Sequence, residues 1–140
     1  MIAPDITAAV LRDVSRAAQA AFPEECCGVL IGRRVAGRVS LIAAIASRNV
    51  AGGNRRRRFE IDPALLLALQ RRLRHGPYFV AGYFHSHPRG TTRPSRHDLA
   101  GAHQDHHVWL IAALAGPGHG VTFGAYAVRG TGASRRFVAL

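Results

Sequence analysis

The chain has 140 residues, 48% of them hydrophobic and 19% charged, which suits one buried core without disulfide staples and excludes extended disorder. Its net charge is +11 and all nineteen basic residues are arginine, a balance that points to an acidic partner or, more blandly, to a solvated arginine-rich face. No apolar run approaches the roughly 20 residues that cross a bilayer, and the N-terminus has no basic leader region, so no membrane anchoring is expected and the cytoplasm is the expected setting.

Residues 7–21 carry Val10, Leu11, Val14, Ala17, Ala18 and Ala21 at helical spacing, and Pro23 stops the run. "CCGVLIGRR" and "GRVSLIAAIA" read as two strands joined by a turn at Ala36 and Gly37; their near-continuous apolar character predicts burial on both faces. Cys26 and Cys27 are neighbours, so one thiol is expected on each side of that strand rather than a disulfide. With no CxxC pair, a cysteine-rich zinc finger is excluded. The stretch 47–59, with two glycines and Arg55, Arg56, Arg57 and Arg58 in a row, reads as a loop. Asp62 can cap a second helix, with Pro63 at its first position, "ALLLALQRRLR" as its apolar face and Gly76 just past its end.

"YFVAGYFHSH" is the third strong strand, a short helix starts near Ser95, and "HVWLIAALA", "VTFGAYAV" and "RRFVAL" read as further strands. No repeat or low-complexity tract interrupts residues 1–140, which read as one domain. Helices alternate with strands early and strands dominate late. That order predicts an α/β or α+β layered fold, a mixed sheet with helices against it.

The segment "GYFHSHPRGTTRPSRHDLAGA", residues 82–102, concentrates the polar chemistry. On a strand His85 and His87 project from one face, about 7 Å apart at the backbone, while Ser86 points the other way. Ser95 and Asp98 follow at helix-start spacing, which lets Asp98 swing back to the strand end. Two imidazoles and one carboxylate with a fourth position open is the ligand pattern of zinc hydrolases. Ser95 and Asp98 also satisfy a helix capping box, which needs no metal. Both halves together, joined through Pro88, favour the metal site, and the cap is compatible with it. A general base is also required. Glu24 and Glu25, between the first helix and an apolar strand, qualify equally on chemistry.

His85-Ser86-His87-Pro88, six residues, then Ser95 and Asp98 reproduce H-S/T-H-P-x6-S-x-x-D, and "PEECCGVLIG" resembles P-x-E-x-C-G-x-L-x-G. Together they resemble the JAMM (MPN+) metallopeptidases. The resemblance implies a curved mixed sheet flanked by helices, related to the cytidine deaminases, although the H-x-E and P-C-x-x-C motifs of a deaminase are missing. It implies Zn2+ held by His85, His87 and Asp98, and it selects Glu25 over Glu24 as the group that activates water. Ser95 would hydrogen-bond the polarised carbonyl oxygen. It further implies hydrolysis of a peptide or isopeptide bond at the C-terminal Gly-Gly of a ubiquitin-like or sulfur-carrier protein, whose tail can add as a strand to the sheet edge. The alternative is a non-catalytic module of the same fold that binds nucleic acid or a protein scaffold through its arginines.

Three features lie outside that pattern. Arg55, Arg56, Arg57 and Arg58 form a docking patch for an acidic protein surface or a solvated loop; nucleic acid is the poorer fit, because Phe59 is the one aromatic nearby for base stacking. His103, His106 and His107 cluster with Asp105 but show no ligand spacing, and they read as surface or sheet-edge residues. Trp109 reads as core.

Overall fold

The computed structural model describes residues 3–102, 107–116 and 120–140. Its elements in chain order are β1 (Asp5–Ile6), α1 (Ala8–Ala21), β2 (Cys27–Val35), β3 (Arg38–Ser47), α2 (Pro63–Leu73), β4 (Tyr78–His87), α3 (Arg96–Gly101), β5 (Val108–Leu114), β6 (Val121–Arg129), a 3-10 turn (Gly132–Ser134) and β7 (Arg136–Ala139). The strands form one seven-stranded mixed sheet in the order β1-β3-β2-β4-β5-β6-β7. Helices flank it, as the alternation of elements predicts.

α1 begins at Thr7, whose hydroxyl accepts a hydrogen bond from the Val10 amide at 3.4 Å and so satisfies one orphan donor of the first turn. Its stripe of Val10, Val14 and Ala18 is fully buried against Leu30, Leu41, Phe84 and Leu110. The β2–β3 hairpin closes through Ala36 and Gly37, at φ 51° and 78°, the left-handed pair whose twist matches a two-residue hairpin. Gly28 lets three strands meet closely: a Cβ there would overlap the Ile45 carbonyl oxygen and the Phe84 ring.

Burial on both faces holds for Cys27 to Gly32 of β2, but not for β3, where only Leu41 is buried. β2 lies between two long strands, whereas the outer neighbour of β3 is the two-residue β1. Asp5 belongs to that short strand and pairs with Arg38 at 2.9 Å. α2 starts where expected, with the Asp62 carboxylate accepting from the Ala64 amide at 3.0 Å. Its apolar face, however, buries no residue. The left-handed residue at its end is His75 (φ 68°), one position before Gly76.

β4 and β5 run parallel, so the chain must cross over between them, and α3 lies on that crossover. The parity of β4 and β5 then splits the interior in two. Phe84, Leu110, Ala112 and Leu114 face α1, while Tyr83 and Trp109 face the opposite side with Phe59, Tyr126 and Phe137. The polar residues of interest belong to this second side. Among the described residues no helix is long and apolar enough to cross a membrane.

Candidate metal centre

β4 ends at His87, and its last three residues alternate as strand geometry requires. Ser86 turns away, fully buried, and its hydroxyl oxygen accepts the Cys26 amide hydrogen at 2.8 Å. His85 and His87 turn to the other side, with their Nε2 atoms 3.1 Å apart. Asp98, in the first turn of α3, brings Oδ2 to 3.0 Å from His85 Nε2 and 3.1 Å from His87 Nε2. All three side chains are buried.

The donor set can be tested for a cation. His87 Nδ1 lies 2.8 Å from the Thr91 carbonyl oxygen, which only accepts, so Nδ1 carries the hydrogen. In the neutral ring Nε2 therefore presents a lone pair to Asp98 and to His85. Asp98 Oδ2 and His87 Nε2 are then both acceptors, and with His85 protonated on Nδ1 the three atoms, at mutual separations of 3.0–3.1 Å, form an electron-rich triangle that a metal ion would fill. Tetrahedral zinc with bonds of about 2.0–2.1 Å sets its ligand atoms about 3.3 Å apart, close to this triangle. The Nδ1–H bond to a carbonyl is also the usual way a zinc-ligating imidazole is oriented. The residues fit the ion.

His85 is held differently. Phe59 stacks on it at 4.4 Å between centroids and 21° between planes, and Trp109 meets it edge-on at 5.7 Å. Its Nδ1 has no hydrogen-bond partner among the described residues. Burial pushes the His85 imidazole down, against the pull of Asp98. For His87 the contact with Asp98 outweighs burial and raises the ring. Burial also opposes ionisation of Asp98, but hydrogen bonds from His85 and His87 prevail and hold the carboxyl well below the usual range. The site favours a carboxylate facing positive charge.

Glu25 and Glu24 part company. Glu24 is exposed, 3.6 Å from Arg55. Glu25 is 5% exposed, and one of its carboxyl oxygens is buried with no hydrogen-bond partner among the described residues. Burial, offset in part by His87 and reinforced by Asp98, pushes its carboxyl up to about 8. The main chain around it is pinned: the Glu25 amide donates to the Arg55 carbonyl at 2.8 Å, and its carbonyl accepts from the Asn49 amide group at 3.1 Å. Ser95 is half-buried and closes the capping box, its Oγ accepting from the Asp98 amide at 3.0 Å while its own amide donates to Asp98 Oδ2 at 2.8 Å. The Ser95 hydroxyl hydrogen is not used in that cap.

Two positioning residues, Asn49 and Ser86, have no role assigned from the sequence. Asn49 donates to the carbonyls of Glu25 and Arg58 and accepts from the amides of Ala51 and Glu60, at 3.0–3.1 Å. It thereby ties the arginine loop to the strand end that bears Glu25. Ser86 joins that strand end to the one bearing the histidines. The sequence hint for Ser86 is its place between two predicted ligands; for Asn49 there is only a polar residue at a loop entry. Trp109 is buried as expected, yet it also buttresses His85. His107 packs edge-on against Tyr83 at 5.3 Å, whereas His103, Asp105 and His106 lie outside the described residues. A cavity of about 430 Å³ opens beside Asp98, with walls that include Phe59, Leu66, Tyr83, His107 and Trp109.

A mixed sheet flanked by helices, with two histidines and an aspartate converging at a strand end, defines the class: a JAB/MPN-type domain with a candidate metal centre. The family described as prokaryotic homologs of the JAB domain matches residues 7–124, and the chain belongs to that family. A solution structure of a Desulfitobacterium hafniense protein is similar at 25% identity and TM-score 0.78, covering 96% of this chain and 90% of that one. A Salinibacter ruber protein, also solved in solution, is 26% identical with TM-score 0.65 over 89% and 82% of the two chains. The crystal structure of a JAB1/MPN domain protein from Archaeoglobus fulgidus, 20% identical with TM-score 0.56 over 91% and 88%, shares the fold. Among curated proteins there is no match.

Proposed function

We propose that this protein is a zinc-dependent peptidase that hydrolyses an amide bond at the C-terminal Gly-Gly of a ubiquitin-like or sulfur-carrier protein. The observation that carries the reading is a buried Glu25 carboxyl, one oxygen of which has no hydrogen-bond partner among the described residues, within the field of His87 and Asp98 where His85, His87 and Asp98 converge. His85, His87 and Asp98 would hold the zinc, which when bound supplies Lewis-acid polarisation of the substrate carbonyl and acidifies water. Glu25 takes one proton from the attacking water and delivers it to the departing amine. The Ser95 hydroxyl, left free by its cap, donates a hydrogen bond to the carbonyl oxygen as negative charge develops there. The water's second proton also ends on the amine, so the products are the carrier carboxylate and a protonated amine, and the one water consumed balances the bond broken. Arg56, Arg57 and Arg58, exposed beside this cleft, would receive an acidic carrier surface.

Glu25→Gln keeps the shape and removes the base. It should retain bound zinc by metal analysis yet lose at least about 100-fold in turnover of a Gly-Gly-extended carrier. Full turnover in that variant removes Glu25 from the mechanism. A wild-type protein that retains no zinc and binds random DNA in a salt-dependent manner would instead favour a non-catalytic module.

A further inference from the structure

We propose that the cavity beside Asp98 is a pocket for the side chain on the leaving side of the scissile bond, and that it prefers a large apolar, above all aromatic, side chain. The inference rests on the hydrolase reading and adds what that reading leaves open: which residue departs.

The volume, about 430 Å³, lies within the range of natural ligand sites. Asp98 forms part of the wall, so the pocket adjoins the candidate metal centre. Most of the remaining exposed lining is apolar, although Arg58, Glu60 and His97 also border it. Trp109 meets Phe59 edge-on at 5.9 Å and Tyr83 at 6.0 Å, and such an array can add a further ring in the same edge-to-face manner. Leu66 lines the cavity from α2, a helix that fully buries none of its own residues; its half-buried side chain gains further cover when a ligand side chain enters. Burial holds the His107 imidazole below its ordinary range, so His107 itself adds no charge to the wall near neutral pH. A Gly-Gly acyl side has no side chain to place here. The neighbour of the scissile bond that can fill the cavity is the leaving residue.

Trp109 is the chain's one tryptophan and it lines the pocket, so its emission reads occupancy without turnover. Phenylalanine amide, which mimics the departing amine, should change Trp109 fluorescence saturably and bind at least about tenfold more tightly than alanine amide. Leu66→Phe, which narrows the cavity, should weaken phenylalanine amide while circular dichroism stays unchanged. Equal affinity of the two amides, or no saturable change, overturns the pocket. In parallel, the zinc-loaded protein is given synthetic peptides ending in Gly-Gly-X, with X as Gly, Ala, Leu or Phe. Here kcat/KM should climb in that order, with Phe above Ala by at least about tenfold. A flat series in an active protein refutes the pocket and spares the hydrolase. Selective amide binding with no hydrolysis of any peptide does the reverse.

Discussion

Glu25 illustrates how much one position can decide. Its carboxyl is buried, and burial, partly countered by His87 and reinforced by Asp98, pushes it up to about 8; in an unfolded chain a glutamate titrates near 4.3. Folding of the metal-free protein therefore takes up a proton between those two values. The stabilisation is complete below about pH 4 and is lost as pH rises through the folded value, at up to about 1.4 kcal/mol per pH unit. Glu25→Gln lacks this dependence. In urea titrations with chelator present, the variant should gain on the wild type steadily from pH 5 to 8; parallel curves would mean that the Glu25 carboxyl is solvated. The choice of Glu25 over Glu24 was legible only through resemblance, because the two are chemically equal neighbours. What separates them is the strand end: one side chain points into the sheet's second side and the other out to Arg55.

At the scale of elements, strand alternation and a capping pattern were enough to bring His85, His87 and Asp98 together, because both follow from local backbone geometry. The missing pieces are those whose partners are remote in sequence. Asn49 is one: its four bonds reach residues 25, 51, 58 and 60, a scatter with no period. Asn49→Ala strands two carbonyls and two amides at once. It should cost about 2 kcal/mol in urea denaturation and speed hydrogen exchange at the Ala51 and Glu60 amides, with the α1 amides unchanged. Exchange that accelerates everywhere would assign Asn49 a global role instead. β1 escaped for a related reason, since two residues carry no pattern. The weak burial of β3 and α2 was hidden too, as apolar content says what an element can bury but not whether a neighbour is there to cover it.

For the whole molecule, the excess of eleven positive charges has its densest run next to the candidate centre. The Arg55 carbonyl holds the Glu25 amide, and the described ion pairs leave Arg56, Arg57 and Arg58 without a carboxylate partner. Charge so placed speeds encounter more than it tightens a complex. Reversing Arg56 and Arg57 to glutamate should slow association with an acidic carrier about tenfold at low salt, measured by stopped flow, and the difference should fade near 0.5 M salt. An unchanged association rate would confine these arginines to solvation. One atom finally links the scales: Asp98 Oδ2 faces both imidazoles and also receives the Ser95 amide. Asparagine at that position could still hold the helix start but would bring no negative charge, while glutamate would carry the charge one carbon too far. Neither of the two side chains nearest to it in shape can therefore stand in for it, since one gives up the charge and the other the reach.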